Sequence, residues 1–189
     1  WLMRSDGSEQ QQITSMAGDE VEPAYDPSGN LLAFCAQVAG VWQIFTVEIR
    51  DPTIIRQITS GPGNKRHPTW SPTSNYIAFA GDLAGNWDLY RVAATGAGAP
   101  TRLTFGTTDD TDPAWSPQGG TIAFTRRNGA TRRIFTVDED GGNLQQISNG
   151  GPLAATWTIQ DQEPAWRPVT LDLAFASNRP IDATDTHGE

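Results

Sequence analysis

Glu22-Pro23-Ala24-Tyr25-Asp26-Pro27 decides the fold, because the chain writes this phrase four times. His67-Pro68-Thr69-Trp70-Ser71-Pro72, Asp112-Pro113-Ala114-Trp115-Ser116-Pro117 and Glu163-Pro164-Ala165-Trp166-Arg167-Pro168 are the other copies. Their first prolines lie 45, 45 and 51 residues apart. Each copy runs on into an apolar segment ending Ala-Phe: Ala33-Phe34, Ala78-Phe79, Ala123-Phe124 and Ala174-Phe175. Ile13-Thr14, Ile58-Thr59, Leu103-Thr104 and Ile147-Ser148 keep the same beat, and so do Phe45, Tyr90 and Phe135. A period near 45 built from short apolar runs is the mark of a propeller or an array.

One unit, residues 21–59, reads as four short strands. Glu22 to Tyr25 is followed by the turn Asp26-Pro27-Ser28-Gly29, and Leu31 to Val38 by Ala39-Gly40. Trp42 to Ile49 and Ile54 to Thr59 complete the unit across Asp51-Pro52. Proline and glycine fall where tight turns want them. Hairpin-linked strands make a sheet that cannot bury both faces by itself, and radial packing of like sheets solves that. The prediction is an all-β propeller of four-stranded antiparallel blades. Tyr25, Trp70, Trp115 and Trp166 are expected in the core between blades.

The ends carry complementary halves of a unit. Trp1 to Gly7 aligns with Phe135 to Gly141, and Ile13-Thr14 completes a fourth strand. The blades are therefore placed at about 17–59, 60–104, 105–148, and 149–189 completed by 1–16. Two arrangements fit: about four blades closed by pairing Trp1–Arg4 with Leu173–Ser177, or an in-phase piece of a six-bladed ring. Pro180 to Glu189 would connect a second strand to a third. A chain beginning at Trp1 is expected to be processed or trimmed.

The 189 residues carry a net charge of −9 and a pI near 4.6. That balance argues against nucleic acid, whose phosphates need neutralising by Lys and Arg. Lys65 is the only lysine. No run approaches the about 20 apolar residues of a spanning helix. Cys35, the single cysteine, reads as a small buried hydrophobe.

The residues quoted so far resemble the TolB-type, WD-like propeller repeats of bacteria. The match is closest at Asp112 to Pro117 with Thr121-Ile122-Ala123-Phe124, and at Trp1-Leu2-Met3, Asp6-Gly7 and Ile13-Thr14. The second copy departs with His67 and Thr73-Ser74, the fourth with Arg167 and Val169-Thr170. The resemblance implies a periplasmic or secreted scaffold that binds other proteins of the cell envelope. It also implies a second use, as a non-catalytic gate on peptidases of the prolyl oligopeptidase type.

Catalytic sets are not apparent. There is no Gly-x-Ser-x-Gly elbow, and of the two histidines His187 lies in the tail while His67 fills a repeated slot. Asp138 to Asn143 has the composition of a calcium loop but occupies a hairpin turn. One constellation stands out. Asp19, Glu20 and Glu22, then Asp109, Asp110 and Asp112, then Asp161 and Glu163 precede or enter the first strands, and Asn64, Lys65, Arg66 and His67 break the pattern. First strands are innermost in a propeller, so these residues are predicted to line one mouth of the channel. They could equally cap turns. The expectation is a non-enzymatic, extracytoplasmic protein-binding scaffold with no cofactor, such as a membrane-extrinsic subunit of an envelope complex; the alternative is a non-catalytic gate or substrate-binding domain of a larger hydrolase. A weaker alternative is a glycan- or cation-binding propeller, with calcium as the cation.

Overall fold

The computed structural model describes residues 1–149, 160–167 and 172–178. Among them there is no helix, and the chain is a β-propeller of antiparallel blades. The first blade holds β1 (Glu20–Tyr25), β2 (Leu31–Val38), β3 (Val41–Glu48) and β4 (Ile55–Gln57). The second holds β5 (Lys65–Trp70), β6 (Tyr76–Gly81), β7 (Asp88–Ala93) and β8 (Thr101–Arg102). The third holds β9 (Asp109–Trp115), β10 (Thr121–Asn128), β11 (Thr131–Asp138) and β12 (Gln145–Gln146). In each of these sheets the strands lie in sequence order, a plain meander. Two strands of a fourth blade follow, β13 (Asp161–Trp166) and β14 (Leu173–Ser177).

The Ala-Phe phrase is the packing rule of the array. Along β2, β6 and β10 the side chains alternate between two faces. Phe79 and Ile77 face the first blade, where they meet Ala33, Cys35 and Ile44. Ala78 and Ala80 face the third blade, where they meet Phe124 and Ile122. Large side chains on one face thus fill the space that small ones leave on the next. Phe34, Phe79 and Phe124 also pair with Phe45, Tyr90 and Phe135 at centroid separations of 5.7, 5.7 and 5.9 Å. Burying each such ring contributes roughly 1.5–3 kcal/mol.

Two of the tryptophans tie one first strand to another. Trp70 Nε1 donates to the Ala24 carbonyl at 3.0 Å, and Trp166 Nε1 to the Ala114 carbonyl at 2.9 Å. Trp115 is packed between the second and third blades. Tyr25 departs from the expectation: it is 55% exposed, because no earlier first strand lies beside it among the described residues.

The pairing of Trp1–Arg4 with β14 that a closed ring of four blades would need is not formed among the described residues. Leu2 pairs with Gln11 through two 2.8 Å hydrogen bonds, and β14 pairs with β13. Leu2, Ile13 and Met16 instead cover Leu32, Phe34 and Val47 of the first blade. Ile13 thereby takes the position that Ile58 takes against the second blade. The Pro180–Glu189 connection lies outside the described residues. The Asp138–Asn143 segment is the expected turn: Gly141 has φ +93°, its N–H donates to the Asp138 carbonyl, and Asn143 Nδ2 donates to Asp138.

Candidate functional site

Every first strand is broken at the same place. In β1 the register slips between Val21 and Ala24, so Glu22 and Pro23 together oppose one residue of β2. β5, β9 and β13 slip at the equivalent step. Each slip is a β-bulge, and its first residue has left-handed backbone: Glu22 at φ +56°, His67 at +55°, Asp112 at +52° and Glu163 at +56°. Glycine is the usual occupant of such a position. A residue before proline also prefers extended backbone. The strain recurs with a polar or charged side chain each time, which favours a reason located in the side chain. Proline follows without loss, because the bulge leaves its position out of the ladder.

The four bulges meet. Glu22, His67, Asp112, Glu163 and the four prolines after them line an open hollow of about 360 Å³. β1, β5, β9 and β13 sit side by side around it. His67 bridges three blades, with Nε2 3.0 Å from Glu22 and Nδ1 2.5 Å from Asp112. The His67 N–H donates to Glu22 at 2.7 Å. Arg66 donates to the same carboxylate from Nε at 2.9 Å and Nη2 at 2.5 Å, and its guanidinium lies 4.4 Å from the centre of a Trp42 ring.

These bonds set the charges. Burial alone would lower the His67 imidazole, but its hydrogen bonds to Asp112 and Glu22 hold it up at about 9. Burial alone would raise the Glu22 and Asp112 carboxyls, and the same bonds, with Arg66 on Glu22, hold both below the usual range. His67 is therefore a cation at neutral pH between two carboxylates. Glu163 is exposed and, among the described residues, pairs with no cation. Burial and the Glu22 charge push the Cys35 thiol up, which fits the inert packing role expected of it.

The remaining candidates do not share this hollow. Glu20, Lys65, Asp110 and Asp161 occupy one repeat position, two residues before the bulge, and all four are occupied locally. Glu20 accepts from the Thr14 hydroxyl at 2.6 Å and the Met16 N–H at 2.7 Å. Lys65, fully buried, donates to the carbonyls of Ser60, Gly61 and Pro62 at 3.2, 3.0 and 2.9 Å. Asp110, also fully buried, takes a two-pronged bond from Arg126 at 2.7 Å on each oxygen. Buried Asp161 accepts from the Ser177 hydroxyl at 2.7 Å. These groups brace the loops that lead into the first strands. Asp19 is exposed, and Asp109 accepts from the Trp87 N–H at 3.2 Å and from Arg127 at 2.5 Å. Asn64 serves Trp42 in the same way as Asp109 serves Trp87.

Arg66 stands out in the sequence only as a break in the acidic pattern, and Trp87 is not singled out by the repeat. Arg66 adjoins the bulge residue, which is the one sequence clue to its role. Trp87 lines a second hollow of about 230 Å³ with Arg66, His67 and Thr111. Among the described residues no three His, Cys, Asp or Glu side chains cluster as metal ligands.

A family model described as the TolB beta propeller domain matches residues 1–183. The chain belongs to that family. No curated protein matches it in sequence. Two TolB structures share its fold. That from Agrobacterium tumefaciens is 23% identical, with a TM-score of 0.66 over 71% of this chain and 50% of the other. That from Acinetobacter baumannii is 24% identical, with a TM-score of 0.66 over 76% of this chain and 36% of the other. A puromycin-hydrolyzing peptidase of Mycobacterium tuberculosis matches at 16% identity and a TM-score of 0.63, over 85% of this chain and 25% of the peptidase. The chain thus spans half or less of the solved TolB chains it matches.

Proposed function

We propose that this TolB-type propeller is a non-catalytic, extracytoplasmic scaffold that receives a segment of another envelope protein at the mouth formed by its four bulges. The observation behind this reading is the repeated left-handed residue before proline, which presents Glu22, His67, Asp112 and Glu163 to one hollow. Strain kept four times at one opening is most simply understood as the cost of a recognition surface. The prolines add a rigid apolar floor. Glu163, which has no cationic partner among the described residues, favours a basic group in the incoming segment. His67 is held as a cation by two carboxylates, which leaves it no lone pair to act as a general base. A gate on a larger hydrolase would present the same mouth to a substrate.

The test is capture from a native envelope extract with the immobilised chain and its Glu163→Gln variant, at 50 and 500 mM salt. Expected is one protein retained at low salt, lost at high salt and weakened several-fold by Glu163→Gln. Retention unaffected by both, or no specific protein retained, would refute the scaffold reading.

A further inference from the structure

A second site lies away from the mouth, at the loop between the second and third blades. In the preceding repeat two side chains converge on one carbonyl. Gln43 Nε2 donates to the Gly61 carbonyl at 2.8 Å, and Lys65 Nζ donates to it at 3.0 Å. Lys65 also holds the carbonyls on either side, at Ser60 and Pro62. One period on, Gln43 becomes Asp88 and Lys65 becomes Asp110, while Gly61 becomes Gly106. Gly106 keeps left-handed backbone, at φ +127°, as Gly61 does at +83°. Two donors have been replaced by two carboxylates at the repeat positions that meet this loop in the first copy, and the loop keeps its length.

Both aspartates are completely buried. Arg102 Nη2 donates to Asp88 Oδ2 at 2.6 Å, and Arg126 engages both oxygens of Asp110. Asp88 Oδ1 is buried and accepts from no donor among the described residues. Leaving a buried carboxylate oxygen unpaired is costly, so such an atom normally has an occupant.

We propose that Asp88, Asp110 and the main-chain carbonyls of Phe105–Thr107 bind a hard cation of the calcium class, in the place that the Lys65 ammonium takes in the preceding repeat. Every candidate ligand is an oxygen, which selects a hard cation over zinc or copper. Two carboxylates are fewer than a three-acid cluster, so the carbonyls must complete the shell. An irregular loop suits the flexible coordination of calcium better than the strict octahedron of magnesium. The arginines neutralise the pair's formal charge, so the binding is of moderate strength. The slot and the mouth share no residue, so this inference stands apart from the proposed function.

The test measures Tm and binding heat with calcium chloride on the whole chain, with potassium chloride matched in ionic strength as the comparison. At ten times Kd, linkage gives a rise of about 3–6 °C. The rise is expected in the wild type and in Asp140→Asn, a surface control of equal charge change, and is expected to vanish in Asp88→Asn. Where Asp88→Asn does not fold by circular dichroism, Asp88→Gln, the residue used at position 43, takes its place. No rise in the wild type, a rise reproduced by potassium chloride, or an equal rise in the Asp88 variant would overturn the proposal.

Discussion

At the scale of single residues, His67 carries the most consequence. It joins the first, second and third blades through Glu22 and Asp112. Its folded-state value of about 9 lies above the ordinary 6.5. A group raised on folding stabilises fully below its unfolded value and ceases to do so as pH climbs through the folded one. Stability should therefore fall between about pH 6.5 and 9. Glu22 and Asp112 are lowered on folding, so their contribution is present at neutral pH and is lost toward strong acid. Tm measured from pH 6 to 10 should decline more steeply for the wild type than for His67→Gln, and parallel curves would refute the linkage. Lys65 makes a second test. Replacing it by Met removes charge-assisted bonds to three carbonyls, each worth about 1.5–3 kcal/mol when buried and less where the loop is wet. A loss of roughly 2–4 kcal/mol in urea unfolding is expected. That Glu22, His67, Asp112 and Glu163 line one hollow was legible in the sequence, because the period alone superimposes them. Their partner Arg66 was not, since nothing in a repeat announces which neighbour reaches across.

At the scale of the element, the bulge explains why the acidic cluster divided. A regular strand would put Glu20 and Glu22 on one face, since side chains alternate with period two. The bulge adds a residue at Glu22-Pro23 and gives Glu22 a left-handed φ of +56°, so Glu22 leaves the alternation that Glu20 keeps opposite Ala36. The sequence shows an acid-Pro step and cannot show the left-handed φ that accompanies it. For that reason Lys65, Asp110 and Asp161 were expected at the mouth and are found bracing loops. Strand number, order and turns were legible, because hydrophobic runs and Pro-Gly punctuation encode them directly. The strain is testable at Glu163, whose side chain is the least tethered of the four. Glu163→Gly removes the left-handed penalty of about 1–2 kcal/mol and adds backbone freedom of about 0.5–1 kcal/mol to the unfolded chain. The variant should unfold at equal or slightly higher urea concentration while retaining less partner. A clear loss of stability would mean that Glu163 serves the fold.

At the scale of the whole molecule, stability is shared between neighbours along the array. Each blade buries its large face on the small face of the one before it, so an interior sheet depends on two interfaces. Phe79 tests this coupling, being fully buried against Ala33, Cys35 and Ile44 of the first blade. Phe79→Ala should cost about 3–5 kcal/mol, since a large cavity opens in rigid surroundings. The array geometry predicts where that cost falls. Amide hydrogen exchange should speed most in β6 and β7, next in β2 and β3, and least in β10 and β11, whose contact with the second blade runs through Ala78 and Ala80 on the opposite face. A fully cooperative domain would lose protection equally everywhere. Uniform acceleration across the three blades would therefore replace the neighbour-by-neighbour picture with a single all-or-none unit, and a gradient centred on the second blade would establish that the radial packing of Ala against Phe is what carries stability from sheet to sheet.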